Sequence, residues 1–155
     1  MYDKPLIVVA LESEYKNPEV DILYTGVGKV NALVSLANNI EKFGPPSLII
    51  NYGTAGTVNK KHKGLVEVDV ILQRDMIAEP QAPRGITPFD KDEVAGAMML
   101  NSNTDVTLGT GDSFVQEPDP WFEYASVDIV DMEAYALAKF AKIKKVILIS
   151  SDKAV

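Results

Sequence analysis

Five acidic residues in this sequence stand where a carboxylate can do more than carry charge. Glu12 and Glu14 follow the apolar run at 6–10, Asp131 and Glu133 flank Met132 at a predicted helix start, and Asp152 follows the apolar run at 146–149. A carboxyl just beyond a buried strand end can be desolvated, which raises its pKa and suits it to general acid or base work. Glu133, fixed at a helix start whose dipole favours its charge, could accept two hydrogen bonds from a sugar diol. Each residue also has a plainer reading. Glu12 and Glu14 could be solvated loop acids, Asp131 an N-cap, Glu133 a first-turn acid and Asp152 a cap.

Three glycine-bearing segments accompany these acids. Gly26-Val27-Gly28-Lys29 joins a strand to a helix, Gly53-Thr54-Ala55-Gly56 closes another strand, and Gly109-Thr110-Gly111-Asp112-Ser113-Phe114 closes a third. Glycines there permit tight turns and close approach of backbone to a ligand, and a helix N-terminus favours anions. The first segment lacks the third glycine of a dinucleotide fingerprint and the spacing of a P-loop. Phe114 offers a face that could stack on a base or enter the core.

The elements that must hold these groups follow from periodicity. Strands are predicted at 6–10, 20–24, 47–52, 66–74, 104–108, 127–130 and 146–150. Val30, Leu33, Val34, Ala37 and Ile40 share one predicted helical face, ended by Phe43-Gly44-Pro45-Pro46. A second helix is predicted from about Met132 to Lys142, and a loop from Met76 to Asp92, which contains Pro80, Pro83 and Pro88. Strands alternating with helices give an α/β class with a largely parallel sheet, and such sheets bind ligands beyond the carboxyl ends of their strands.

Composition narrows the function classes. A chain of 155 residues suits one domain, with 46% hydrophobic and 24% charged residues. The net charge is −7, and Arg74 and Arg84 are the only arginines, so no basic stripe for nucleic acid is visible. The cluster Lys60-Lys61-His62-Lys63 reads as a solvated turn. No apolar run is long enough to span a membrane, and the start Met1-Tyr2-Asp3-Lys4-Pro5 does not read as a signal peptide. The absence of cysteine agrees with a reducing cytosol, so a cytoplasmic location is expected.

The order of motifs is specific. Leu11-Glu12-Ser13-Glu14, Gly26-Val27-Gly28-Lys29-Val30-Asn31-Ala32, Asn51-Tyr52-Gly53-Thr54-Ala55-Gly56, the Gly109–Phe114 loop, Val130-Asp131-Met132-Glu133-Ala134 and Ser151-Asp152 follow one another. This resembles the nucleoside phosphorylase superfamily, most closely its methylthioadenosine/S-adenosylhomocysteine nucleosidase branch. The resemblance implies a single-domain three-layer α/β/α sandwich with a mixed central sheet and a reduced periphery. It also implies hydrolysis of the N-glycosidic bond of an adenine nucleoside such as 5′-methylthioadenosine, S-adenosylhomocysteine or 5′-deoxyadenosine. By family position Glu14 activates water and Asp152, oriented by Ser151, protonates the purine. Glu133 holds the ribose hydroxyls, Met132 packs against the sugar, Phe114 stacks on the base and the Val115 backbone reads its edge. Thr54, Glu12 and Asp131 are supporting members.

The resemblance calls for no metal or organic cofactor and implies a homodimer or higher homo-oligomer. Relatives continue past the Ser-Asp motif into a further helix, so a shortened form of the fold is expected. They often carry a basic residue where Leu148 stands. Related phosphorylases place an arginine just before the Gly-Ser/Thr loop, where this sequence has Asn51-Tyr52, so water is expected to be the nucleophile rather than phosphate. Two other readings stay open: a nucleoside-binding or assembly protein without turnover, and a purine nucleoside phosphorylase.

Overall fold

The computed structural model describes residues 4–91 and 96–155. Met1, Tyr2 and Asp3 of the expected non-leader start, and Asp92 at the end of the expected proline-bearing loop, lie outside the described residues. The elements are β1 (Leu6–Val9), β2 (Ile22–Tyr24), α1 (Lys29–Phe43), β3 (Ile49–Thr57), β4 (Gly64–Glu67), β5 (Val70–Gln73), β6 (Ala97–Met99), β7 (Thr107–Thr110), α2 (Pro120–Tyr124), β8 (Ile129–Asp131), α3 (Ala134–Lys144) and β9 (Leu148–Ala154). They form a mixed sheet in the order β2-β1-β3-β8-β7-β5-β6, with β9 beside β3 and β4. This is an α/β fold with a mixed central sheet.

The strand β3 organises the molecule. Its first half pairs in parallel with β1, through Ile49 to Asn51, and its far end pairs antiparallel with β8, through Gly56 and Thr57. On its other edge it runs parallel to β9, with Asn51 beside Ser150 and Gly53 beside Asp152. The edge therefore loses β1 before it gains β8, and the Thr54 N–H turns to a side chain instead of a strand. A partner change of this kind opens a gap within a sheet, and the site described below occupies it.

Several boundaries differ from the sequence reading, for related reasons. Gly53-Thr54-Ala55-Gly56 is strand rather than a closing loop, because β9 pairs with Gly53 to Ala55 and β8 with Gly56. The expected strand at 66–74 divides into β4, which pairs with β9, and β5, which pairs with β7; Val68 and Asp69 carry the chain between partners. Likewise β9 continues through Asp152 to Ala154 against β3 and β4. The helix expected at 132–142 begins later, at Ala134, because the Asp131 carboxylate takes the N–H groups of Glu133 and Ala134.

The short helix α2 was not foreseen, although Asp119-Pro120 carries its start signal. Asp119 accepts from Trp121 N, and proline occupies the first turn. The strand β6 was missed as well; only three residues long, it pairs antiparallel with β5.

The helix α1 buries a different stripe from the one expected. Ala32 and Leu36 are fully covered and Ile40 packs on the core, while Val30, Leu33 and Val34 are exposed. Adjacent apolar stripes on one helix cannot be ranked by period alone. Here α3, which buries Tyr135, Leu137, Ala138 and Ala141, packs against α1 and helps select the stripe.

Candidate active site

Glu14, Thr54, Asp131, Met132, Glu133, Phe114 and Val115 line one cleft of about 430 Å³. Asp152 lies beneath it, in a small inner recess that it shares with Glu14, Asn51, Thr54, Asp131 and Glu133. Residues separated by most of the chain thus meet at the gap beside β3.

The carboxylate of Glu14 is held from three sides. Its Oε1 accepts from Thr54 N at 3.1 Å and Thr54 Oγ1 at 2.6 Å, and its Oε2 accepts from Leu11 N at 3.0 Å. Gly53 gives this group its view of Asp152. A methyl group at Gly53 would lie 3.5 Å from Glu14 Oε1 and 3.7 Å from Asp152 Oδ1, so both acids border the same small space.

Asp152 is 2% exposed. Burial pushes its carboxyl well above the usual range; the negative charges of Asp131, Glu133 and Glu14 push further, and a hydrogen bond from Ser150 opposes them. The hydroxyl that reaches Asp152 is that of Ser150, at 3.3 Å, and not that of Ser151 as expected. Side chains alternate along a strand, so Ser150 and Asp152 share the buried face of β9 while Ser151 turns to the other.

Glu133 receives Gly28 N at 3.0 Å on Oε1. Gly28 has φ +97°, a conformation that favours glycine, and this turn aims its N–H at the carboxylate. Burial first, and then the charge of Asp131, raises the Glu133 pKa from 4.5 to about 7, against the hydrogen bond from Gly28. The anion at the start of α1 is therefore the protein's own: Lys29 N likewise donates to Asp112 Oδ1 at 2.8 Å.

Asp131 has the plainer role of a cap. One carboxylate oxygen accepts from Thr110 Oγ1, and the other accepts from Glu133 N at 3.2 Å and Ala134 N at 2.7 Å. Its burial fixes the turn that carries Met132 and Glu133 into the cleft. Phe114 is 80% exposed and stands at the rim. Glu12 and Ser151 line neither the cleft nor the recess, and Glu12 instead pairs with Lys16 at 2.6 Å on the surface.

Sequence reasoning missed the cation that shapes the cleft wall. Arg74 is buried and donates to the carbonyls of Gly109 at 3.2 Å and Gly111 at 3.0 Å, to Ser113 Oγ at 3.0 Å and to Ser113 O. It holds the loop that presents Phe114. Its signal was the scarcity of arginine together with its place at the end of an apolar strand.

Sequence comparison assigns the family. The sequence profile of the phosphorylase superfamily matches residues 7–152, and the chain belongs to that superfamily. The chain is 28% identical over 148 residues to the 5′-methylthioadenosine/S-adenosylhomocysteine nucleosidase of Bacillus velezensis, covering 81% of this chain and 62% of that one. It is 32% identical over 145 residues to the nucleosidase of the same name from Bacillus cereus strain B4264, covering 78% and 61%. The chain thus spans about three fifths of the length of these relatives.

In fold it is similar to futalosine hydrolase of Helicobacter pylori, with a TM-score of 0.81 at 18% identity over 98% of this chain and 84% of that one. It is also similar to the Campylobacter jejuni 5′-methylthioadenosine/S-adenosyl homocysteine nucleosidase, with a TM-score of 0.80 at 18% identity over 98% and 85%.

Proposed function

We propose that this protein hydrolyses the N-glycosidic bond of an adenine nucleoside carrying a 5′-substituent: 5′-methylthioadenosine, S-adenosylhomocysteine or 5′-deoxyadenosine. The observation that carries the reading is the pair Glu14 and Asp152 facing one space across Gly53, with Glu133 beside them. Cleavage sends the bonding electrons of C1′–N9 into the purine and leaves oxocarbenium character on the ribose. Asp152, whose burial among acids keeps its proton, donates that proton to purine N7. Water attacks C1′ and gives a proton to Glu14, which Thr54 and Leu11 hold in orientation. Two carboxyls with a water between them parallel the inverting arrangement of glycosidases.

In this reading Glu133 accepts the ribose 2′- and 3′-hydroxyls, Met132 lies against the sugar, and Phe114 and the Val115 backbone meet the base. Leu148 supplies no cation near Asp152, and the charges acting on Asp152 are those of acids. That favours the protonated form of this acid over its carboxylate.

Water is preferred over phosphate as the nucleophile. Arg74 spends its donors on the Gly109–Ser113 backbone and Ser113. Arg84 grips Asp119 through two bonds of 3.1 and 2.7 Å and stacks 4.5 Å from the Trp121 ring. Both guanidinium groups of the chain are therefore engaged, and a cleft lined by Glu14, Asp131 and Glu133 repels an anion. The test is release of adenine from 5′-methylthioadenosine with and without phosphate. Equal release supports the reading; a strict phosphate requirement with a sugar 1-phosphate product overturns it.

A further inference from the structure

Asn51 and Ser150 belong to no step derived above, yet both are buried beside Asp152. They lie next to each other across the parallel β3–β9 pair, two residues before Gly53 and Asp152 and so on the same face. Asn51 Nδ2 donates to Ser150 Oγ at 2.9 Å, and Ser150 Oγ donates to Asp152 Oδ2 at 3.3 Å. A hydroxyl has one hydrogen and two lone pairs. With a lone pair taken by the Asn51 amide, the single hydrogen is directed to Asp152. An oxygen that accepts that hydrogen is a poor place for a second one. The other oxygen, Oδ1, borders the space over Gly53 that Glu14 also faces.

We propose that Ser150, oriented by Asn51, is a positioning residue that reserves Asp152 Oδ2 as an acceptor and so leaves the proton of this acid on Oδ1, the oxygen facing the cleft. The inference rests on the reading of Asp152 as the proton donor. In the transfer the Oδ1–H bond breaks as the bond to purine N7 forms, and Asp152 is left as a carboxylate whose Oδ2 keeps the hydrogen bond from Ser150. That bond stabilises the charged product of the step and works against the desolvation and the negative charges of Asp131, Glu133 and Glu14 that face Asp152. Its strand neighbours Gly53 on β3 and Val66 on β4 carry no charge.

The test is a titration of the Asp152 carboxyl by ¹³C NMR, the resonance being assigned by its loss in Asp152→Asn. Ser150→Ala removes the donor, and the titration midpoint moves up by about one pH unit. Ser150→Cys, which keeps the shape with a thiol too weak to replace the hydroxyl, moves it the same way; Ser150→Thr restores it. With a nucleoside substrate, Ser150→Ala lowers kcat about tenfold at unchanged KM and carries the alkaline limb of the pH profile upward with the titration. An Asp152 midpoint that stays in place in both Ser150→Ala and Ser150→Cys overturns the proposal. The NMR readout does not need turnover. A wild-type protein that releases no adenine therefore removes the proposed reaction, while the titration still decides the role of Ser150.

Discussion

Replacing Glu133 by glutamine makes the folded protein more stable at pH 8 while it abolishes the proposed ribose clamp. In the folded chain the Glu133 carboxyl ionises near 7 instead of 4.5. At 1.36 kcal/mol per pH unit, that difference corresponds to ~3.4 kcal/mol of cost for holding the charge in place. Glu133 remains partly open to the cleft, so solvent screening reduces this to about 2 kcal/mol. The sign follows from the raised pKa: stability is full below 4.5 and is lost as pH rises through 7. Glutamine keeps an oxygen for Gly28 N–H but carries no charge among Asp131, Asp152 and Glu14. For a chain of this size about 2 kcal/mol is a rise of roughly 4–8 °C in Tm. The assay is thermal unfolding of wild type and Glu133→Gln from pH 4 to pH 8. The Tm difference grows through that range from near zero. A difference independent of pH, or a variant less stable than wild type at pH 8, refutes the reasoning.

Three further outcomes follow from the same geometry. Ionised Glu133 is the form that accepts two ribose hydroxyls, so KM for the nucleoside falls about tenfold between pH 6 and pH 8, read from initial rates. Gly53→Ala places a methyl group at ordinary contact distance from both Glu14 and Asp152. The fold survives, by circular dichroism and Tm, while adenine release falls at least a hundredfold because the space between the acids is filled. Arg74→Met leaves the carbonyls of Gly109, Gly111 and Ser113 without their donor and costs about 3 kcal/mol or more in denaturant unfolding.

Much of this site was legible because its residues are tied to local motifs. Asp131, Met132 and Glu133 stand at a strand-to-helix turn, and Glu14 follows a buried strand, so sequence order alone could group them. What could not be read was pairing across the sheet. The neighbours Asn51–Ser150 and Gly53–Asp152 depend on the β3–β9 register, which no local pattern sets. That register, with the alternation along β9, is why Ser150 rather than Ser151 reaches Asp152. The same limit explains β3: its glycines look like a loop until strands from later in the chain supply their partners. Glu12 and Glu14 are near equivalent in sequence, and only the placement of Thr54 separates the acid in the cleft from the one on the surface.

The central claim is that Glu14 and Asp152 act on one nucleoside from either side of the space over Gly53. Its most direct test is adenine release from 5′-methylthioadenosine, in phosphate-free buffer, by wild type, Glu14→Gln and Asp152→Asn, with nucleoside binding measured in parallel by calorimetry. Wild type releasing adenine, with each variant binding the nucleoside but slowed at least a thousandfold, is the result expected. Adenine release that survives both substitutions, or a wild type that binds the nucleoside and leaves it intact, contradicts it.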